Sequence, residues 1–516
     1  MGAHRGKRRA MNRLANQPFA PFVFFAVYAL VWTVTATLSD SSFHFDIQEE
    51  IAWGREWLVG LYRHPPMKVW LLEIANQMTG FADFTPYLLS TALFGIGQIA
   101  IYLMLADVTS RRLAFFSSVS ATSIYLFGPL LPLWNANTVQ FAFVGLFLLS
   151  AWRALDRSSA LWMIAAAVFA AGGVLGKYTF FGIVAPVGMW AILHPGLRRN
   201  MPWIGLLAGG LVFAALIAPT AHWLLTEGDE AFRFISERTS EAYAGIGGQF
   251  LAAGQVALVI VLLALAPVLF FVTGLRASHG VVPEDADRKR NLLQFLGAAA
   301  VGSHAVILGI VFANGTVIKD HWLMASLMTV PPFLCLLTYR NALDATLTRF
   351  GALIVPVWLA GLLAAYPLER YIKLETAEPE RPFAWYPVMP SEPLIADAVE
   401  YWERTRSTFP DAGLPLAPAV VAGGYDAALI ANQYPGRPAW LERFSTAKSP
   451  WVSGFDITGS GVLAIGRAPD DFLDQHKVCQ AYTETVGWKN VRGQKARTIT
   501  LSVLLPSASP DCAKNS

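Results

Sequence analysis

Apolar stretches of roughly 20 residues, separated by short polar segments, fill the first 366 positions of this chain, and each matches the length an α-helix needs to cross a bilayer. On that criterion the spans fall at 18–38, 86–106, 113–134, 138–155, 160–176, 179–194, 202–225, 251–275, 291–313, 322–339 and 347–366, about eleven helices in all. One amphipathic segment lies between the first two: Met67, Leu71, Ile74 and Met78 recur at helical spacing, while Lys68, Glu73 and Gln77 fall elsewhere on the wheel. Such a helix would rest in the membrane interface with Trp70 as its anchor. Beyond Tyr366 the pattern changes. Charges and proline rise at Glu369, Arg370, Glu375, Glu378, Glu380 and Pro382, as in a linker. Past it, Leu394 to Arg406 is helix-like with Ile395, Val399 and Trp402 near one face, and Ala419–Ala422, Gly461–Ile465 and Thr498–Leu505 read as strands. The expected architecture is a polytopic α-helical membrane domain (1–366), with a long first loop (39–85), followed by a soluble α/β domain (367–516).

Composition agrees. Hydrophobic residues are 54% and charged residues 15%, against about 25% charged in soluble domains, and the mean hydropathy is +0.44. The first span is too long for a cleaved signal and lacks a small-x-small site, so it reads as a retained anchor. Ahead of it stand Arg5, Lys7, Arg8, Arg9 and Arg13, which hold the N-terminus in the cytoplasm. Arg111–Arg112, Arg153, Arg157, Arg198–Arg199, Arg276, Arg288–Arg290 and Arg340 then mark alternate loops as cytoplasmic. An odd number of spans puts the C-terminal domain on the far side, the periplasm if the membrane is a bacterial inner one. A net charge of +3 spread in this way is topological; a nucleic-acid or polybasic lipid patch would concentrate it on one segment. Cys335 falls in a span as a packing residue, and an oxidising compartment permits a disulfide between Cys479 and Cys512.

The candidate chemistry gathers in loops on the far side. Asp46 is three residues from Glu49 and four from Glu50, so on a helix either pair shares a face. Carboxylates at an apolar boundary suit general-base work, and they equally suit a helix start near Gln48 with Asp46 as its cap; both remain open. Arg63-His64-Pro65-Pro66 offers a phosphate-binding guanidinium, a proton carrier and a rigid bend, or simply a helix start with a snorkelling arginine. Lys177-Tyr178 and Lys319-Asp320-His321-Trp322 end apolar runs on the same side and serve either as interfacial anchors or as ligands. The segment 226–250 ends in Gly245–Gly248 and is a candidate flap. His304 lies within a span, packed against a neighbour. Walker, G-x-S-x-G, H-E-x-x-H and zinc-type Cys/His signatures are absent from the sequence.

Several blocks together resemble the GT-C membrane glycosyltransferases: Asp46 to Glu50, Trp53-Gly54, Gly60, His64-Pro65-Pro66 and Trp70-Leu71. Asn135 and Asn137, Gly176-Lys177-Tyr178, His321-Trp322, Ala422-Gly423-Gly424 and Tyr434 to Pro438 continue the pattern. The chain is most similar to the bacterial protein-mannosyltransferase-like and aminoarabinose-transferase-like enzymes (glycosyltransferase families 39 and 83), with a lipopolysaccharide galacturonosyltransferase as the narrower match. That resemblance implies transfer of a sugar from a polyprenyl-phosphate carrier to lipid A or lipopolysaccharide core at the periplasmic face, within a setting of membrane lipids and no nucleic acid. It implies Asp46, with Glu49 and Glu50, as the catalytic acids; Arg63, His64 and Lys177 as donor-phosphate ligands; and Tyr178, Asn135, Asn137, Lys319, His321 and Trp322 as substrate contacts. No cofactor is assigned, and a divalent metal is left open. A protein O-glycosyltransferase and a transporter of lipid-linked or sugar substrates are the alternatives.

Overall fold

The computed structural model describes residues 9–199, 201–239, 243, 245–278, 286–342, 344–376, 386–490 and 496–512. Arg5, Lys7 and Arg8 of the basic run, and Glu378, Glu380 and Pro382 of the linker, lie outside these residues. The chain divides into two compact units: one of residues 1–36, 59–68 and 78–366, the other of 37–58, 69–77 and 367–516. The main helices, in chain order, are α1 (Ala20–Ser39), α2 (Phe45–Gly54), α3 (Met67–Thr79), α4 (Thr85–Ala106), α5 (Arg111–Ser120) and α6 (Gln140–Asp156). They continue as α7 (Ala160–Gly176), α8 (Phe181–Leu193), α9 (Trp203–Thr226), α10 (Asp229–Thr239), α11 (Gly245–Leu269) and α12 (Ala286–Gly297). The last are α13 (Ser303–Asn314), α14 (Val330–Thr338), α15 (Arg349–Thr376), α16 (Ser391–Thr408) and α17 (Tyr425–Gln433).

The first unit is helical and makes the protein a multi-pass membrane protein. Among the described residues, six stretches are long and apolar enough to cross: Ala20–Ser39, Thr85–Ala106, Trp203–Thr226, Gly245–Gly274, Ala286–Asn314 and Arg349–Leu374. Asp320–Leu327 and Val330–Thr338, bent by 53°, form a seventh if taken as one span. The remaining expected spans are built differently. The 113–134 run is the short α5 followed by 3₁₀ turns at Ala121–Ser123 and Tyr125–Phe127, and α6 and α7, at 17 residues each, are at the short limit of a crossing, with α8 shorter at 13. Hydropathy alone does not see why. Gly97 of α4 and Gly145 of α6 let two backbones touch: a Cβ on Gly145 would sit 2.0 Å from the Gly97 carbonyl oxygen, and one on Gly97 2.2 Å from that of Phe141. These apolar residues face protein, with Phe94, Phe127 and Phe141 ring to ring at 5.0–5.6 Å. Two long spans also carry π turns, at Phe270–Gly274 beyond Pro267 and at Ala298–Gly302 between α12 and α13. Proline removes an intrahelical donor, and a π turn re-registers the ladder. Strands β1 (Leu275–Ser278) and β2 (Asp344–Leu347) pair antiparallel at the end of this unit where α11 finishes and α15 starts.

The second unit contains a five-stranded sheet of β3 (Val420–Gly423), β4 (Ala439–Glu442), β5 (Val462–Ile465), β6 (Cys479–Lys489) and β7 (Ala496–Leu505), ordered β4-β3-β5-β7-β6. β3 runs parallel to β4 and β5; β7 is antiparallel to β5 and β6. β3 and β5 are buried at every position, which is why they read as unbroken apolar runs. The buried face of α16 is Leu394, Ala398, Tyr401, Trp402 and Thr405, one step round from the face the sequence suggested. Cys479, opening β6, is bonded to Cys512, so the pairing that compartment permitted is present. Cys335 is buried among apolar side chains of the first unit.

Candidate active site

The acidic motif is α2 of the second unit. Its N-cap is His44 and not Asp46: the His44 Nδ1 accepts the Asp46 backbone N–H at 3.3 Å, which puts Asp46 inside the first turn. Burial pushes the His44 imidazole down to about 4, with Asp46 opposing and Lys373 and Arg370 reinforcing. The ring is therefore neutral at pH 7, and its lone pair serves the helix. Glu49 and Glu50 are 2% and 1% exposed, whereas the Asp46 side chain is 33% exposed. Of the three acids only Asp46 is open to an acceptor.

The C-terminal glycine motifs hold this helix. Asn432 of α17 donates its Nδ2 to the Gln48 carbonyl at 2.7 Å and to Gln48 Oε1 at 3.0 Å. Trp53 stacks on Trp440 at 6.3 Å, and Arg55 donates to the carbonyls of Arg437 and Pro438. Burial lowers the Arg437 guanidinium, Glu73 opposing and Arg55 reinforcing. Gly423, at φ +138°, has no room for a side chain: a Cβ would lie 2.5 Å from the Ile465 carbonyl oxygen. Two blocks nearly 400 residues apart in sequence thus make one platform. α3 forms where the helical spacing of Met67, Leu71, Ile74 and Met78 placed it. Its Lys68, Glu73 and Asn76 are buried and its Ile74 and Met78 exposed, and Trp70 Nε1 donates to the Leu58 carbonyl at 3.0 Å. Polar groups that find partners are buried here, the Trp70 indole ties α3 to the loop before it, and Ile74 and Met78 are the apolar side chains left outward.

In the first unit, residues 59–68 are pinned to α9. The Thr220 hydroxyl donates to the Val59 carbonyl at 2.6 Å, and Gly60 admits Trp223, which would come within 1.9 Å of a Cβ there. Arg63 then sits among aromatic rings. Its Nε donates to the Tyr62 hydroxyl at 2.7 Å, and its guanidinium lies 5.2 Å from the Tyr62 ring centre and 5.8 Å from that of Phe234. The His64 ring is 6.5 Å from Phe234. Phe234 belongs to α10, so this part of the expected flap is a helix that supplies one wall of an arginine cradle.

A second polar cluster lies at the C-terminus of α7. Lys177, 7% exposed, donates to Asn137 Oδ1 at 2.6 Å, and its ammonium lies 4.7 Å from the Trp322 ring centre. Asn135 Oδ1 accepts the Asn137 N–H at 2.7 Å, and Gln140 donates to the Lys177 carbonyl at 3.1 Å. Lys177, Asn135, Asn137 and Trp322 therefore converge. Lys319 is exposed and His321 turns to Asp320 at 3.4 Å, so these two stand apart from the cluster; Tyr178 is half-buried beside it. His304 contacts Ala300 and Ser326, as expected for a packed span residue. Sequence inspection missed Phe234 and Gln140, although a glutamine inside the apolar 138–155 run was a usable signal. Among the described residues, no three of His, Cys, Asp and Glu are grouped to hold a metal.

Residues 63–223 match the family described as dolichyl-phosphate-mannose-protein mannosyltransferase. In structure the chain is similar to ArnT from Cupriavidus metallidurans bound to undecaprenyl phosphate, with 13% identity, coverage of 94% of this chain and 98% of that one, and a TM-score of 0.52. The apo state of the same protein gives 13%, 93%, 97% and 0.53. The likeness to the S. cerevisiae protein O-mannosyltransferase Pmt1–Pmt2 complex bound to the sugar donor (17% identity, 44% of this chain, 35% of that chain, TM-score 0.31) is too loose to define architecture. No curated protein matches the chain significantly in sequence. The resemblance to the GT-C membrane glycosyltransferases is borne out by the family match over 63–223 and by the fold over nearly the whole length.

Proposed function

We propose that the chain is a glycosyltransferase that moves a glycosyl residue from a polyprenyl-phosphate donor to a hydroxyl of lipid A or lipopolysaccharide core, at the periplasmic face of a bacterial inner membrane. The observation that carries this reading is the pair of held cations inside the matched segment 63–223: Arg63 in its aromatic cradle and Lys177 over Asn137. The lipid phosphate named for the ArnT structure supports a donor of that class. In the reaction the acceptor oxygen attacks the anomeric carbon and the bond from that carbon to the donor phosphate oxygen breaks. Asp46 takes the acceptor proton, and the electron pair leaves on the lipid phosphate. Arg63 and Lys177 stabilise that developing charge, His64 stands beside Arg63, and Asn135, Asn137, Tyr178 and Trp322 line the sugar. Glu49 and Glu50, being buried, keep α2 in place. A lipid-tethered donor leaves the protein mainly positioning to do. The soluble domain 367–516 serves as the platform for the first-loop acid.

Mass spectrometry of lipopolysaccharide from a deletion strain tests the acceptor. Loss of one sugar mass, restored by the wild-type gene, is the expected result. Unchanged lipopolysaccharide with altered glycoproteins would move the acceptor to protein. Arg63→Ala should raise the donor KM by about tenfold or more, since it removes a charge-assisted contact of about 1.5–3 kcal/mol. Movement of lipid-linked sugar across proteoliposomes without transfer would favour the transporter instead.

A further inference from the structure

Five arginines from four separate parts of the first unit meet in one cavity of about 970 Å³: Arg9 and Arg13 from the helical residues 9–14, Arg112 from α5, Arg276 from β1 and Arg349 from α15. The cavity is built and not incidental. Arg276 stands opposite Thr346 in the β1–β2 pair, Leu347 donates its N–H to Asn12 Oδ1 at 2.9 Å, and the Thr348 hydroxyl donates to the Thr273 carbonyl at 2.9 Å. Arg112 is clamped by Asp344, which also takes the Ser110 hydroxyl at 2.5 Å. Arg9, Arg13, Arg276 and Arg349 have no carboxylate partner among the described residues. At Thr273 and Phe350 the cavity passes into an apolar groove of about 510 Å³, walled by Leu262, Leu265 and Leu269 of α11 and by Ile354 and Trp358 of α15. From Thr273 back to Leu262, and from Phe350 on to Leu359, each helix runs about 14–16 Å at 1.5 Å per residue. That is one leaflet of a hydrocarbon core about 30 Å thick.

We propose that this is a binding site for an anionic phospholipid of the cytoplasmic leaflet, with its headgroup phosphates among the arginines and one acyl chain in the groove. The positive-inside rule puts this face in the cytoplasm, away from the transfer chemistry. Guanidinium forks match phosphate oxygens in pairs. Four arginines without a carboxylate partner among the described residues exceed the needs of one phosphodiester, so a two-phosphate headgroup of the cardiolipin type fits best.

The test uses the full-length protein in a zwitterionic detergent, with thermal shift and native mass spectrometry against cardiolipin, phosphatidylglycerol, phosphatidylcholine and inorganic phosphate. Cardiolipin should raise Tm by several degrees and stay bound, phosphatidylglycerol less, phosphatidylcholine not at all. The double variant Arg276→Gln/Arg349→Gln should weaken cardiolipin binding by about tenfold or more. Ala266→Trp, which fills the groove and spares the arginines, should weaken the lipid while sparing inorganic phosphate. Equal shifts with phosphatidylcholine would overturn the site. So would inorganic phosphate reproducing the full shift with Ala266→Trp without effect, since the cavity would then hold a soluble anion. Selectivity among lipids on the wild-type protein decides the matter even if the double variant does not fold.

Discussion

The two units turn the same apolar side chains in opposite directions. On α9 of the first unit, Ile204, Leu207, Leu211 and Leu225 are 66–84% exposed. In residues 386–512 of the second unit, Leu416 is the single large apolar side chain exposed among the described residues. Meanwhile the first unit buries Gln98, Ser117, Ser118 and Lys177. Apolar surface leaves water wherever it can, and in a bilayer the outside already meets that demand. What is left to specify the packing of the membrane unit is close backbone approach and internal hydrogen bonding, whereas the sheet unit follows the ordinary rule of a dry core in water.

The largest effect is expected where α4 meets α6. Gly145→Leu must push two backbones apart, so it should cost about 3 kcal/mol or more and remove most of the monodisperse protein. Gly254→Leu on α11, where nothing lies within 4 Å of a Cβ, should leave yield and Tm near wild type. Equal behaviour of the two variants in size-exclusion and thermal-melt measurements would refute the close-approach account. The second test is confined to the sheet unit. Cys479→Ser/Cys512→Ser should lower its stability by about 2–4 kcal/mol, seen in denaturant titration, and added reductant should then change nothing further.

A smaller effect is expected from acid. The His44 imidazole titrates at about 4 in the folded protein and at about 6.5 unfolded. Between those values the unfolded chain binds more protons, so stability falls as pH drops from 6.5 and levels off below about 4. The loss should not exceed about 3.4 kcal/mol. His44→Asn keeps an N-cap acceptor and should flatten this slope in Tm measured from pH 4 to 7.

Much of this was legible in the sequence. Long runs such as 202–225 and 251–275 declared themselves because their partner is lipid, which asks only for length and apolarity. The 138–155 run was equally visible and is α6 (Gln140–Asp156), whereas 113–134 hid the end of α5 at Ser120, because an apolar residue facing protein looks the same as one facing lipid. Asp46 was visible as an acid at a boundary, but its cap was not: the capping atom is a histidine nitrogen two residues earlier, an unusual choice. The buried polar face of α3 was hidden because partners such as Leu58 lie outside the helix that a wheel displays. The arginines read as topology along the chain, and only the β1–β2 pairing brings Arg276 and Arg349 beside Arg9 and Arg13. Lys177 was noticed as a helix-end cation, while its bond to Asn137 needed forty residues to fold back.

Asp46→Asn separates a general base at position 46 from a residue of the helix start. Asp46 lies inside the first turn of α2 and does not cap it, so the change costs stability only by the loss of a charge at a helix N-terminus, about 0.3–1 kcal/mol. With purified protein in proteoliposomes and a polyprenyl-phosphate-sugar donor, the variant should bind donor as the wild type does, while transfer falls by about 10²-fold or more. Transfer at the wild-type rate by a folded Asp46→Asn protein would contradict the account, leaving Asp46 a residue of the helix start and nothing else.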